Sequence, residues 1–233
     1  MILTTMSGIH TETVAEHVLA LMLALVRRLD VAMRLQIERH YDRTELAATS
    51  DELAEKTVGI VGLGKIGMSI ARMAMAFGMA VIGTKRTVEP DLMVDEVYAA
   101  DELHRIMPKS DFLVLVAPLT SETRALIGPD EIDQMKQGSY LINVARGVMV
   151  DHNALGEALR SGKLRGAALD VFPEEPLPSD SPIRDLPNVI ITPHTAGSSP
   201  KYAQRAATIF QRNLDAFLSG EEMINVYDRQ KGY

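Results

Sequence analysis

Apolar residues recur at helical spacing near the start of the chain. Val14, Val18, Leu21, Leu25, Leu29 and Met33 fall on one stripe of a helix predicted from Thr11 to about Arg39. Such a stripe must be covered by something. Residues 40–56 are polar and mixed, and beyond them short apolar runs alternate with helical patterns. The runs predict strands at Thr57–Gly62, Ala80–Thr84, Glu96–Tyr98, Asp111–Val116, Ser139–Val144, Gly166–Val171 and Val189–Thr192. Helices are expected near 65–77, 101–108, 151–160 and 200–218. The stretch from Pro173 to Pro187 reads as a loop, because its prolines remove backbone donors and push their neighbours into extended shapes.

Strands that alternate with helices imply an α/β fold, a doubly wound and mostly parallel sheet of Rossmann type with helices on both faces. The expected division is a helix over residues 1–40, a dinucleotide-binding domain over 41–197, and a C-terminal helix and tail over 198–233. The length of 233 residues and an apolar share of 46% can fill such a core. A net charge of −7 gives no basic field, so neither nucleic acid nor an anionic membrane is an expected partner, and an anionic ligand needs a local site. Cysteine is absent, which excludes disulfides, thiolate metal sites and a cysteine nucleophile. The early apolar run Val18–Val26 is too short to span a bilayer and follows the acidic Glu12 and Glu16, so a cytoplasmic location is the default. His10, His17, His40, His104 and His152 lack metal-ligand spacing and are expected to be surface or packing residues.

One motif stands in a telling context. The apolar run Val58-Gly59-Ile60-Val61 leads into Gly62-Leu63-Gly64-Lys65-Ile66-Gly67 and then into a helical stretch. In that order, Gly62 permits a tight turn, Gly64 lets a pyrophosphate approach the backbone, and Gly67 allows close helix–strand packing. The helix start offers unpaired N–H groups to anionic oxygens. About twenty residues on, a site specific for NAD would place a carboxylate against the adenine ribose. Here the chain reads Gly83-Thr84-Lys85-Arg86. Lys85 and Arg86 can meet a 2′-phosphate, which favours NADP over NAD, or they can be a solvated loop.

In an open parallel sheet, ligands bind beyond the carboxyl ends of the strands. Arg146, Glu175 and His194 each lie just past such an end. Reduction of a 2-oxo acid needs a hydride on the carbonyl carbon, a proton on its oxygen and a grip on the carboxylate. An imidazole titrates near neutral pH, so His194 suits proton donation. Glu175 suits the fixing of the ring, and Arg146 suits the carboxylate through its planar fork. Asp170 closes an apolar strand, where an acid is costly unless hydrogen-bonded. It can accept from a nicotinamide carboxamide or cap a neighbouring turn.

These residues and several more motifs resemble the D-2-hydroxyacid dehydrogenase family. The resemblance includes Thr13-Val14-Ala15-Glu16, Val61 to Gly67, Pro118-Leu119-Thr120, Leu141 to Gly147, Leu169-Asp170-Val171-Phe172 with Glu175-Pro176, and Pro193-His194. It implies Arg146, Glu175 and His194 as the catalytic set, and Lys65, Ile66, Ala117, Pro118, Val144, Ala145, Asp170 and Gly197 as further cofactor contacts. It also implies NADP or NAD as cofactor, a small 2-oxo or 2-hydroxy acid as substrate, and a homodimer with the long helix at its interface, which would cover the apolar stripe. The family carries a substrate domain, mostly N-terminal, that closes over the cofactor domain. Here about one helix precedes Thr57, and Met1-Ile2-Leu3-Thr4-Thr5 resembles the interior of such proteins. The expectation is therefore a chain lacking most of that domain, with its C-terminal helix left from it. Two other readings stay open, a cofactor-sensing binding module and a remnant that binds cofactor without turnover.

Overall fold

A computed structural model describes residues 2–88 and 93–229. Met1 and the last four residues of the expected tail lie outside these. Seven strands form one sheet: β1 (Thr57–Val61), β2 (Ala80–Lys85), β3 (Glu96–Ala99), β4 (Phe112–Leu115), β5 (Ser139–Asn143), β6 (Leu164–Leu169) and β7 (Val189–Ile191). Their order is β3-β2-β1-β4-β5-β6-β7, and every neighbouring pair is parallel. All seven carboxyl ends therefore emerge on one edge. The direction of winding reverses between β1 and β4, where a doubly wound sheet opens its crevice.

Side chains along each strand alternate between two cores. Val58, Ile60, Phe112, Val114, Tyr140 and Ile142 enter one, while Val61, Leu113, Leu115 and Leu141 enter the other. The first core is closed by α1 (Thr11–Val26) and α4 (Lys65–Ala76), and the second by α5 (Pro129–Gln134) and α6 (His152–Ser161). Local signals fix the helix ends. Asp151 caps α6 by accepting from the N–H groups of Asn153 and Ala154, at 2.9 and 3.1 Å, and Gly162 ends it in the left-handed region. On α5, Glu131 reaches back to the Gly128 N–H at 3.0 Å.

The expected long helix is two. The chain breaks at Arg28, whose φ of 54° is left-handed, and resumes as α2 (Leu29–Ile37), followed by the short α3 (Arg43–Thr49). The Arg28 guanidinium holds Asp30 at 3.0 Å across the break. Val14, Val18, Leu21 and Leu25 are buried, but after the break Val31 and Leu35 turn inward in place of Leu29 and Met33. The stripe of α1 is thus covered by this chain's own α4 and sheet, not by a partner, which corrects the expected reason for a dimer. The helix expected at 101–108 is two short 3₁₀ turns, Leu103–Arg105 and Met107–Lys109, because Pro108 has no N–H to continue a ladder. A similar turn, Pro182–Asp185, lies within the expected loop. The last helix, α7 (Tyr202–Ser219), ends at Gly220 and buries little beyond Asn213 and Ala216.

Candidate active site

The glycine turn follows β1 and performs the three expected steric tasks. Gly62 has φ of +107°, and a Cβ there would lie 2.9 Å from the Ala117 backbone beyond β4. At Gly67 a Cβ would lie 2.2 Å from the Gly62 carbonyl oxygen, so the helix seats directly on the turn. At Gly64, in contrast, among the described residues nothing stands within 4 Å of that position, and no side chain caps the start of α4. The opening above Gly64 and the uncapped N–H groups of the first helical turn fit a pyrophosphate. Ile66 and Val144 pack against the core at this rim, and the Pro118 carbonyl is held by the Thr123 hydroxyl at 2.8 Å. Lys65 is directed elsewhere: its ammonium donates to Asn225 Oδ1 at 2.9 Å and to the Ser7 carbonyl at 3.4 Å, tying both terminal segments to the turn. Lys85 ends β2 and Arg86 follows it, and the charge of Arg86 reaches Glu122 on the neighbouring loop.

Beyond β5, the turn that carries Arg146 is latched by Asn143, a fully buried amide. Its Oδ1 accepts from the Ala145 N–H and its Nδ2 donates to the Arg146 carbonyl, both at 3.0 Å. Gly147 then meets the backbone of Phe172 so closely that a Cβ would lie 1.9 Å from the Phe172 carbonyl carbon. This contact brings the Arg146 turn onto the loop after β6. There the Phe172 N–H donates to Glu175 Oε1 at 2.8 Å, and the other carboxylate oxygen faces His194 Nδ1 at 2.7 Å. Partial burial pushes the Glu175 carboxyl up, but hydrogen bonds from His194 and Phe172, with the charges of His194 and Arg146, outweigh it and leave the group below the usual carboxylate range. Glu175 and His194 therefore meet directly, while the Arg146 guanidinium donates to the Ala145 carbonyl at 2.6 Å and acts on Glu175 through its charge.

Asp170 is 1% exposed and caps the turn that carries His194. Its Oδ1 accepts from the Thr192 hydroxyl at 2.6 Å and the Thr195 N–H at 2.9 Å, and its Oδ2 accepts from the Ala196 N–H at 2.9 Å. Its own carbonyl accepts from the His194 N–H at 2.8 Å. Of the two readings of Asp170, turn capping is the one these bonds display. Four charge-assisted or backbone bonds of this kind hold His194 at a φ of 54°, a left-handed conformation that costs a residue with a Cβ. Gly197 closes the same turn, and its carbonyl accepts from His10 Nδ1 at 2.9 Å.

Sequence reasoning missed Asn143 and Gly147. The signal for Asn143 was the one that singled out Asp170, a polar residue closing an apolar strand. Gly147 had none, because its need arises from Phe172, twenty-five positions away in the chain. Among the described residues no cluster of His, Asp or Glu has the makings of a metal site.

The comparisons with known proteins agree with this geometry. The description "D-isomer specific 2-hydroxyacid dehydrogenase, NAD binding domain" matches residues 19–196. The chain belongs to this family. It is 40% identical over 222 residues to glyoxylate/hydroxypyruvate reductase B of Pectobacterium carotovorum, a match spanning 94% of this chain and 69% of that protein. With D-3-phosphoglycerate dehydrogenase of Methanocaldococcus jannaschii it shares 39% identity over 215 residues, covering 92% of this chain but 40% of the relative. A Rhizobium etli protein described as a "probable 2-hydroxyacid dehydrogenase", solved with NADP, HEPES and L(+)-tartaric acid, superposes with a TM-score of 0.89 at 31% identity, over 100% of this chain and 73% of that one. The glycine turn therefore belongs to an NAD-binding domain, and the family is one of NAD(P)-dependent oxidoreductases.

Replacing Gly147 by Ala is expected to separate the Arg146 turn from the Phe172 loop. Overpacking of this kind costs about 1–3 kcal/mol, occasionally more, which urea denaturation of the variant reads directly. A variant as stable as the parent, with an unmoved Phe172, would show that the contact is not required.

Proposed function

We propose that the protein binds NADPH in preference to NADH and reduces small 2-oxo acids to D-2-hydroxy acids. The observation that carries this reading is the His194–Glu175 hydrogen bond standing beside Arg146 at the carboxyl edge of a dinucleotide-binding sheet. When bound, the reduced nicotinamide supplies the hydride that goes to the carbonyl carbon. His194 gives the proton to the carbonyl oxygen from Nε2, since its Nδ1 is engaged by Glu175. A carboxylate held below its usual range stays charged at neutral pH and fixes the ring in that orientation. Arg146 binds the substrate carboxylate and draws electron density from the carbonyl. Support for NADP over NAD comes from Lys85 and Arg86, which stand where an acidic residue would otherwise meet the ribose, and from the NADP seen in the Rhizobium etli structure.

The reading extends to assembly. On α2, Leu29, Met33 and Ile37 recur every fourth residue and are 48, 64 and 81% exposed, with Tyr41 beyond them. An apolar strip of this extent marks a contact surface, and a homodimer through α2 rather than through α1 accounts for it. The terminal segments and α7, whose Phe210 and Phe217 face solvent, belong in this reading to the second, substrate-binding domain of the family.

Two experiments test these proposals. NADPH-dependent reduction of glyoxylate or hydroxypyruvate should fall at least about a hundredfold in kcat in His194→Ala, with NADPH affinity nearly intact and greater than that for NADH. Unchanged kcat removes His194 from the chemistry, and tighter NADH binding removes the NADP preference. Sedimentation of the parent should show a dimer that Ile37→Lys dissociates, whereas an unaltered dimer in that variant would place the interface elsewhere.

A further inference from the structure

The turn that presents His194 is held not only by its own strand but from behind, by α1. Two histidines seven positions apart, and so on nearly the same helix face, reach the two ends of the segment 192–197. His10, which starts α1, donates from Nδ1 to the Gly197 carbonyl, and its ring stacks on Tyr202 with centroids 5.5 Å apart. His17, two turns along, has its Nε2 at 3.1 Å from the Thr192 hydroxyl and 3.7 Å from Asp170 Oδ1.

The proton count fixes the direction of the chain of bonds. A threonine hydroxyl has one proton, and at 2.6 Å from the Asp170 carboxylate that proton goes to the acid. The Thr192 oxygen then has only lone pairs to offer His17, so His17 carries its proton on Nε2 and donates. The relay is His17 Nε2–H to Thr192 Oγ1 and Thr192 O–H to Asp170 Oδ1, with Asp170 also accepting from the Thr195 and Ala196 N–H groups on the far side of His194. Asp170 is a buried carboxylate, so each of these donors offsets its desolvation, and losing one leaves it short of partners where water does not reach. The cheapest relief is a rearrangement of the turn, which is also the turn in which His194 is kept left-handed.

We propose that His17 is a positioning residue for His194, acting through Thr192 and Asp170, so that α1 serves as the rigid back of the catalytic turn. The inference rests on the reading of His194 as the proton donor. Its consequence is that the placement of the donor depends on a helix at the other end of the chain, 177 positions earlier by the numbers of the two histidines, 194 − 17.

The test uses the full chain with His17→Phe, which fills the space but cannot donate, His17→Gln, which can, and Thr192→Val, which removes only the hydroxyl. In spectra of protein labelled with 15N-histidine, the Nδ1 proton of His194, assigned by its loss in His194→Ala, reports the bond to Glu175. It should be displaced or broadened in His17→Phe and Thr192→Val and return in His17→Gln. In turnover assays the first two variants should lose kcat by about 10- to 100-fold with little change in the KM for NADPH, and His17→Gln should recover most of it. A His194 resonance like the parent's in both His17→Phe and Thr192→Val overturns the proposal, whatever the turnover. A parent that reduces no 2-oxo acid counts instead against the dehydrogenase reading, and the resonance then decides the positioning by itself. Should His17→Phe fail to fold by circular dichroism, Thr192→Val carries the same comparison.

Discussion

Seven parallel strands deliver seven carboxyl ends to one edge, and the turns that leave them must share a narrow space. The structure resolves that crowding with glycine wherever two backbones touch. Gly62 meets Ala117, Gly67 meets the Gly62 carbonyl, and Gly147 meets Phe172, each at a separation no side chain survives. Gly64 differs from these, because no described atom lies within 4 Å of a Cβ placed there. The contacts that exclude side chains define where the backbone of this turn is closed, and the opening at Gly64 leaves room for a ligand's phosphates. The same crowding brings the turns that carry Arg146, Glu175 and His194 together, since they leave neighbouring strands, and Glu175 and His194 share a hydrogen bond there.

Much of this was legible in the sequence for a physical reason. Strands buried on both faces are short continuous apolar runs, so all seven were visible, with ends displaced by one or two residues. The glycine turn was legible because its three tasks are local to one strand–turn–helix unit. The nearness of Glu175 and His194 was legible because each follows a recognisable strand. What failed was whatever depends on a distant partner. The apolar stripe from Val14 to Met33 looks continuous, but which residues turn inward after Arg28 is decided by what lies beneath them, not by spacing. Lys65 sits in the glycine motif, yet its ammonium is turned toward Ser7 and Asn225, residues near opposite ends of the chain. The failure at 101–108 was of another kind, since Pro108 was in plain view and its missing N–H was enough to shorten the helix.

Asp170 shows how one residue can serve several levels. Its cost as a buried acid is offset by donors in the turn it organises, with His17 on α1 3.7 Å away. That arrangement explains why an acid is tolerated at the end of an apolar strand and how a strained His194 is kept in place. It also joins the fold to the site. The helix that covers one face of the sheet also touches both ends of the turn that carries His194, so packing and the candidate site are joined here.

The central claim is that the open backbone at Gly64 is where the dinucleotide's phosphates bind. Gly64→Val tests it most directly, because an added Cβ has no described atom within 4 Å. Calorimetric titration with NADPH should then find affinity reduced by about a hundredfold or more, the loss of phosphate contacts equivalent to roughly 3 kcal/mol, in a protein whose thermal melt is little changed. Affinity equal to that of the parent would contradict the account.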